Sequence, residues 1–269
     1  MIYASHGLVK KRSFNKICHM HLLDYQLFEK HLESKKERYV SIEESIHERG
    51  DAFTIDDSIY AAMDAALLLR KYGHNVSLFI NAYYIENNIN YWFVVLNCLM
   101  DLYENMEISL CGETYRFSNL KEKLAIRTII KNTLSLLDTE EDRYSHLNKI
   151  FEIDARNYEV PRYLRTITKS DLLYLISKGV DIENHGWTHK QFACQSMNLI
   201  DSEIIKNKAW IRENLQIDSR YYAVPYGERF PPNNYNIAHL RYWLTLLRSE
   251  SPGSIGNRIY NRLNFEIGP

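Results

Sequence analysis

Blocks of apolar residues along the chain predict short strands, and most of these strands are followed by a segment with helical periodicity. The run A-F-T-I at residues 52–55 predicts a buried strand. A helix is expected to begin at Ser58 and to end at Gly73, because glycine favours the position after a helix. Residues 76–80, V-S-L-F-I, predict the next strand. This strand–helix–strand order predicts parallel pairing of the two strands.

The same alternation is expected on both sides of this unit. Upstream, apolar residues at helical spacing predict a helix over residues 22–34, and residues 39–42 predict a short strand. Downstream, the predicted elements are a helix over residues 169–178 that Gly179 ends, a strand over residues 180–183, a helix over residues 199–215 and a strand over residues 221–224.

A block at about residues 89–160 interrupts this alternation and carries no chemical motif. We interpret it as a helical insertion that decorates a single domain over residues 1–269. The elements expected in it are three helices, over residues 91–103, 120–137 and 140–150, and a hairpin over residues 108–117.

Composition narrows the class of protein. With 269 residues and 45% hydrophobic residues, the chain is long enough to bury a substantial core. The formal net charge of −1 gives no reason to expect a nucleic-acid partner. The four cysteines show no C-x-x-C spacing, so neither a zinc ribbon nor a redox pair is indicated. The longest apolar stretch, residues 91–100, is too short to span a bilayer, and no signal peptide is visible, so we expect a cytoplasmic protein.

Two adjacent carboxylates, Asp56 and Asp57, follow the strand predicted at residues 52–55. Adjacent aspartates repel each other, and a divalent cation relieves that repulsion by taking one as a ligand and leaving the other as a base. A second interpretation is that the segment through Ser58 only caps the following helix, since Asp and Ser favour that position. The sequence leaves both interpretations open.

Two histidines, His185 and His189, follow the strand predicted at residues 180–183. A spacing of four places both imidazoles on one side of a helical turn, within reach of one ion. Many such pairs are ordinary surface or core histidines. The pattern gains weight because both motifs follow predicted strands, and the carboxyl ends of parallel strands are where active sites form.

A third motif, V-P-Y-G at residues 224–227, predicts a turn at the end of another strand. Such a turn would aim the backbone N–H of Tyr226 at a developing oxyanion, while Pro225 and the Tyr226 ring contact the substrate. An ordinary turn at a strand end explains the same residues.

Together, these motifs resemble the polysaccharide deacetylase (NodB-homology) family, carbohydrate esterase family four. T-I-D-D-S at residues 54–58 resembles the family's T-F-D-D-G, and H-G-W-T-H at residues 185–189 resembles its H-S/T-x-x-H. V-P-Y-G resembles its x-P-Y-G. The block at residues 91–160 is similar to the helical insert of one bacterial branch, so the resemblance covers roughly residues 20–265.

The resemblance implies a distorted (β/α) barrel of seven or eight strands. It also implies a metal-dependent deacetylase, usually acting on N-acetylated sugars. Carried over by position, Asp56 is the general base, Tyr226 donates its N–H to the oxyanion, and the metal ligands are Asp57, His185 and His189. Two imidazoles and one carboxylate favour zinc, and cobalt, nickel or iron fit the same ligands.

Several positions depart from the family pattern. Ser58 replaces the usual glycine, Gly186 takes the Ser/Thr position, and Ala223 stands where many members carry an arginine that orients the base. The family's late L-x-H histidine, usually the general acid, is missing. We predict protonated Asp56 as the proton donor, with His146 and His239 as the alternative imidazoles. The tail at residues 261–265 resembles the terminal P-R-x-x-V strand of the branch with the insert.

Our main hypothesis is a hydrolase that removes acetyl groups, N-acetyl in preference to O-acetyl, from a sugar or oligosaccharide in surface-glycan biosynthesis. The alternative is a non-catalytic relative that binds glycan or a biosynthetic partner. Trp187, Tyr226 and Trp243 are expected to offer apolar faces to a sugar ring, with core packing as the alternative for both tryptophans. The sequence identifies neither the sugar nor the oligomeric state.

Overall fold

The computed structural model describes residues 1–192, 195–227, 242–247, 251–256 and 258–266. The strands in these ranges are β1 Ile2–Ser5, β2 Leu8–Val9, β3 Leu23–Asp24, β4 Ala52–Asp56, β5 Ser77–Ile80, β6 Met106–Leu110, β7 Glu113–Phe117, β8 Asp181–Asn184, β9 Tyr221–Ala223, β10 Tyr242–Thr245, β11 Gly253–Gly256, β12 Ile259–Asn261 and β13 Leu263–Asn264. The α-helices are α1 Tyr25–Ser34, α2 Ile42–Ile46, α3 Tyr60–Lys71, α4 Ala82–Glu86, α5 Trp92–Leu102, α6 Leu120–Ser135, α7 Glu140–Phe151, α8 Lys169–Ser177 and α9 Met197–Leu215.

Parallel strands form a closed ring. β1, β4, β5, β8, β9 and β10 pair in that order, and β12 then pairs with β10. After a single intervening residue, Arg262, β13 pairs with β1 on the other side of the ring. Since β12 and β13 act as one interrupted strand, the sheet closes with seven parallel strand positions in the described part of the chain. The predicted (β/α) barrel is confirmed.

The barrel wall is buried on both sides, as parallel sheets require. Every residue of β4 and β5 is buried. The first half of helix α3 lies close against the wall because the side chains on its inner face are small and fully buried. These side chains are Ala61, Ala62, Ala65 and Ala66.

The elements predicted for residues 89–160 are present. α5, α6 and α7 begin and end within two residues of the predicted helices, and β6 and β7 form the predicted hairpin. α5 also binds the N-terminal region, because Asp101 accepts hydrogen bonds from the backbone N–H groups of Ile17 and Cys18 at 2.8 and 3.0 Å. Among the described helices, none is both long and apolar enough to cross a membrane. That this block is an insertion stays a prediction.

Three expectations for these elements are wrong. The helix expected from residue 22 begins at Tyr25, because residues 23 and 24 form strand β3. Residues 39–42 do not form a strand, because the Ser41 hydroxyl accepts from the Glu44 N–H and the Glu44 carboxylate accepts from the Ser41 N–H, which starts α2. α3 begins at Tyr60 and not at Ser58, because the Ser58 backbone is bound elsewhere. Its N–H donates to the Tyr91 hydroxyl and its carbonyl accepts from Ile167.

Strand β1 was not predicted, and its end is shaped by Gly7. This glycine has a φ of +128°, and a Cβ built on it would lie 2.3 Å from the backbone carbon of Ala61 in α3. Only glycine allows the chain to pass so close to the helix. The residue before it, His6, is thereby held at the carboxyl end of the barrel.

We predict that Gly7→Ala destabilises the protein far more than Gly253→Ala. Gly253 has nearly the same φ, +125°, but nothing lies within 4 Å of its added Cβ, so it serves as the matched control for backbone strain alone. The extra clash at Gly7 should lower the free energy of unfolding by about 2–3 kcal/mol more, measured by chemical denaturation. Equal losses in the two variants would contradict the close-approach argument.

Candidate active site

The carboxyl ends of the parallel strands meet at one rim of the barrel, and polar residues follow at least five of them. They line one cavity of about 230 Å³, together with side chains from α5 and α6. The polar residues at the rim are His6 after β1, Asp56 and Asp57 at β4, His185 after β8, Tyr226 after β9 and Arg262 after β12.

Asp57, His185 and His189 form a compact buried cluster. One ligand atom from each lies within 4.8 Å of the others. The Nε2 atoms of His185 and His189 lie 3.7 and 3.5 Å from Asp57 Oδ1. Tetrahedral coordination with bonds of about 2.0–2.1 Å separates neighbouring ligand atoms by about 3.3–3.4 Å. The three atoms are therefore spaced for one shared ion.

The orientation of His185 is fixed by its other ring nitrogen. Nδ1 lies 2.8 Å from the carbonyl oxygen of Ala223, which can only accept, so Nδ1 carries the proton. Nε2 is then left unprotonated and faces Asp57, as a metal ligand requires. Ala223, where many relatives carry an arginine, thus contributes through its backbone.

His189 reaches the cluster by a route that the sequence did not predict. Residues 185–190 form a loop and not a helical turn, and His189 has a φ of 55°. The two imidazole centroids are nevertheless 4.8 Å apart. The expected helical geometry is wrong, although the two histidines are brought together.

Two buried polar atoms of the cluster lack a hydrogen-bond partner in the described part of the chain, which fits a site for a cation. Within the described residues, Asp57 Oδ1 and His189 Nδ1 are buried and have no hydrogen-bond partner. Burial, and then the neighbouring Asp56 charge, raise the pKa of Asp57 to about 7. Burial lowers the pKa of His189, so its ring is neutral near pH 7. A carboxylate and two neutral imidazoles form a donor set typical of zinc.

Asp56 has a different partner. Both of its carboxylate oxygens accept from Arg262, each at 2.7 Å, in a buried two-bond pair. Burial alone would raise the pKa of Asp56, but the charge and hydrogen bonds of Arg262, together with His185 and His6, outweigh burial and lower it to about 2. Arg262 also donates to the Thr54 hydroxyl at 3.1 Å. Asp56 is therefore ionised and fixed in orientation.

Sequence reasoning did not assign a role to Arg262. It noted the missing arginine at Ala223 and, separately, an arginine in a terminal strand similar to that of one family branch. Only the closure of the barrel connects the two observations, because it places residue 262 beside a strand more than 200 residues earlier.

The capping interpretation of the aspartates is not supported. The residue that precedes α3 is Ile59, and no side chain caps this helix. Ser58 instead supports the site, since its hydroxyl accepts from the backbone N–H of Asn81 at 3.0 Å. The Asn81 amide donates to the carbonyls of His185 and Gly186 at 2.7 and 2.9 Å. One buried asparagine thus ties the aspartate motif to the histidine motif.

The glycine at position 186 has a local explanation. Its φ is +85°, and an added Cβ would lie 3.0 Å from the Tyr222 hydroxyl. A serine or threonine would be strained and crowded there. Thr188, two residues on, supplies a hydroxyl that donates to the buried Glu203 carboxylate at 2.8 Å.

Of the residues expected to contact substrate, Tyr226 lines the cavity and has a φ of 63°. Pro225 and Trp187 are buried but are not among the residues that line it. Trp187 packs against Tyr83 and under the Lys206 ammonium. Trp243 is buried against Tyr222, which supports its core-packing interpretation.

An imidazole that the sequence analysis overlooked lies in the cavity. His6 lines it, and its pKa is lowered to about 4, first by burial and against the opposing effect of Asp56. The signal was a histidine two residues after a short apolar segment, I-Y-A at residues 2–4. His146 lies on α7, outside the cavity lining, and its Nδ1 is 2.8 Å from the Asp142 carbonyl. His239 lies outside the described residues.

Comparisons with known proteins agree with this architecture. The polysaccharide deacetylase family profile matches residues 47–240. The fold is similar to that of the Streptococcus pyogenes deacetylase PplD in complex with acetate, with a TM-score of 0.58 and 12% identity over 98% of this chain and 91% of that one. It is also similar to IcaB from Ammonifex degensii, with a TM-score of 0.53 and 12% identity over 99% and 91%. It is similar as well to the de-N-acetylase from Aggregatibacter actinomycetemcomitans, with a TM-score of 0.53 and 13% identity over 99% of this chain and 95% of that one. No curated protein matches the sequence.

We predict that Arg262→Met and Asp56→Asn each destabilise the metal-free protein by about 3–5 kcal/mol, because each leaves a buried charge unpaired. The double variant should lose less than the sum of the two. The contribution of the pair to the free energy of unfolding also depends on pH, because the pKa of Asp56 is lowered in the folded protein. In the wild type the pair stabilises the fold above about pH 4, and this stabilisation is lost as the pH falls through about 2. Denaturation of all four proteins in chelator, at pH 7 and at acidic pH, measures both effects. Additive losses would contradict a direct pair.

Proposed function

The chain belongs to the polysaccharide deacetylase family, and we propose that it is a metal-dependent hydrolase that removes N-acetyl groups from a sugar or oligosaccharide in surface-glycan biosynthesis. The observation that carries this proposal is that the two adjacent aspartates at the rim have different surroundings and can therefore have different roles. Asp57, His185 and His189 are spaced for one ion, and Asp56 lies beside them as a fixed carboxylate. The neighbour named a de-N-acetylase favours the amide over the ester.

The chain's own residues supply the remaining functions. A divalent ion held by the cluster supplies Lewis acidity and a water of lowered pKa. Asp56 accepts the proton of the attacking water, and Arg262 keeps that carboxylate ionised and oriented. The backbone N–H of Tyr226 is proposed to bind the oxyanion, since the left-handed turn places this residue at the cavity wall. Zinc is the preferred ion, with cobalt, nickel or iron as alternatives.

His6 replaces protonated Asp56 as our proposed proton donor. Amide cleavage requires a proton on the departing nitrogen, and an imidazole in the cavity can deliver it. With both oxygens bound to Arg262 and a pKa near 2, Asp56 holds a proton only briefly. His6 lines the same cavity, and its pKa of about 4 is higher. In this proposal the proton passes from Asp56 to His6, which lines the same cavity, and then to the leaving nitrogen.

The function is tested by acetate release from a panel of N-acetylated and O-acetylated sugars, nucleotide-sugars and oligosaccharides with zinc-loaded protein. We predict turnover by the wild type, and in Asp57→Asn a loss of both bound metal and activity, because one of three ligands is gone. Asp51→Asn is the matched control, since Asp51 precedes the opposite end of the same strand, β4. Metal content is read by elemental analysis.

Full metal occupancy and normal turnover in Asp57→Asn would contradict the ligand assignment. If the wild type instead binds saccharides with its metal in place but releases no acetate, the non-catalytic alternative is favoured.

The proton-donor role of His6 is tested by changing the leaving group. We predict that His6→Gln lowers kcat for an N-acetyl sugar by about 10²-fold or more, the usual scale for a lost general acid. Cleavage of 4-nitrophenyl acetate should be nearly unchanged, because its leaving group needs no proton. His146→Gln, outside the cavity, should behave as the wild type on both. An equal loss on amide and ester in His6→Gln would mean that His6 acts in some other way.

A further inference from the structure

One wall of the cavity comes from the block at residues 89–160 and carries positive charge that the proposed reaction does not use. α5 contributes Phe93 and Asn97 to this wall, and α6 contributes Arg127 and Lys131. The last two are four residues apart on α6 and therefore share one face of the helix.

Arg127 is buried, with 8% of its surface exposed, and its charge is not paired. Its Nε donates to the Asn97 side-chain oxygen at 2.9 Å, and within the described ranges no carboxylate forms an ion pair with it. A neutral amide satisfies only one of five guanidinium N–H groups. A buried charge without a counter-ion is costly.

The other buried arginines in the described part of the chain behave differently. Arg143 forms an ion pair with the buried Glu140, and Arg262 binds Asp56. Within the described residues, Arg127 differs from these two because no carboxylate pairs with it, and it lines the catalytic cavity. This position indicates that its counter-ion arrives with a ligand.

Lys131 brings a second positive charge close to the metal cluster. Its ammonium lies 4.2 Å from the centroid of the Tyr226 ring, and it lines the same cavity as Asp57 and His189. Arg127 and Lys131 thus place two positive charges on the same wall of the cavity. A neutral sugar carries no charge that could pair with the buried Arg127 guanidinium.

We infer that Arg127 and Lys131 form a binding subsite for an anionic group, phosphate or carboxylate, carried by the acetylated saccharide next to the sugar that is deacetylated. This inference rests on the proposed function and assigns its substrate class: an acidic glycan or a sugar phosphate. The planar guanidinium matches the oxygen spacing of either anion, and the ammonium acts as a point charge beside it.

The experiment compares probes that share one acetylated ring. They are the neutral methyl glycoside of N-acetylglucosamine, N-acetylglucosamine 1-phosphate, the 6-phosphate of the methyl glycoside, and the corresponding 6-carboxylate. For zinc-loaded protein, Kd is measured by calorimetry and kcat/KM by acetate release. We predict that at least one charged probe is favoured by about tenfold to a hundredfold in both quantities. Which probe this is distinguishes phosphate from carboxylate.

Three variants assign the preference to the subsite. Arg127→Gln should reduce this preference for the charged probe to near unity, and Arg127→Lys should keep part of it. Lys121→Gln removes the same charge from an exposed position on the same helix and should leave the preference unchanged. In the wild type, added sodium chloride should weaken the preference, which tests the charge without any substitution.

The outcomes separate the two claims. Acetate release without a preference for any charged probe, or a preference that Arg127→Gln retains, overturns the subsite and leaves the deacetylase function intact. A binding preference that depends on Arg127, with no acetate released from any probe, supports the subsite and contradicts the deacetylase function. Failure of every probe to bind overturns the subsite.

Discussion

The site depends on two adjacent carboxylates that are buried at one end of a barrel, where neither can remain charged without a cation. Asp56 and Asp57 are 3% and 6% exposed, and their mutual repulsion adds to the cost of burial. In the folded protein, the two carboxylates have different partners. Arg262 binds Asp56 through both oxygens, while Asp57 faces two imidazoles and retains an unsatisfied oxygen. The same arginine lies in the strand that closes the barrel, so closure of the fold and charge compensation coincide.

Backbone strain at the rim shows how firmly this arrangement is imposed. Asp57, His189 and Tyr226 all have positive φ angles, a conformation that costs non-glycine residues free energy and persists only where the surroundings enforce it. Asn81 helps to hold the backbone of the rim in this conformation. Its buried amide binds the backbone of the histidine motif, and its own N–H is bound by Ser58. These three strained residues each have a role in the proposed chemistry.

The site residues that follow recognisable strands were predicted from the sequence. Those that reach the site only because the barrel closes, or because a distant helix packs against it, were missed. Asp56, Asp57, His185 and His189 were found because each follows or ends a recognisable apolar strand. His6 was missed because β1 is only four residues long and lies at the start of the chain. The role of Arg262 required knowing that β13 pairs with β1, a contact that no local periodicity encodes. Arg127 and Lys131 lie on an amphipathic helix whose polar face looks like solvent-exposed surface until α6 is placed against the cavity.

The most direct test of this account is a crystal structure of the zinc-loaded protein with anomalous diffraction recorded at the zinc edge. The account predicts one strong anomalous peak about 2.0–2.2 Å from oxygen of Asp57 and from Nε2 of His185 and His189. Asp56 should remain bound to Arg262 through both oxygens. A peak coordinated by Asp56, or an ion that bridges both aspartates and displaces Arg262, would contradict the division of the two carboxylates between an arginine and a metal.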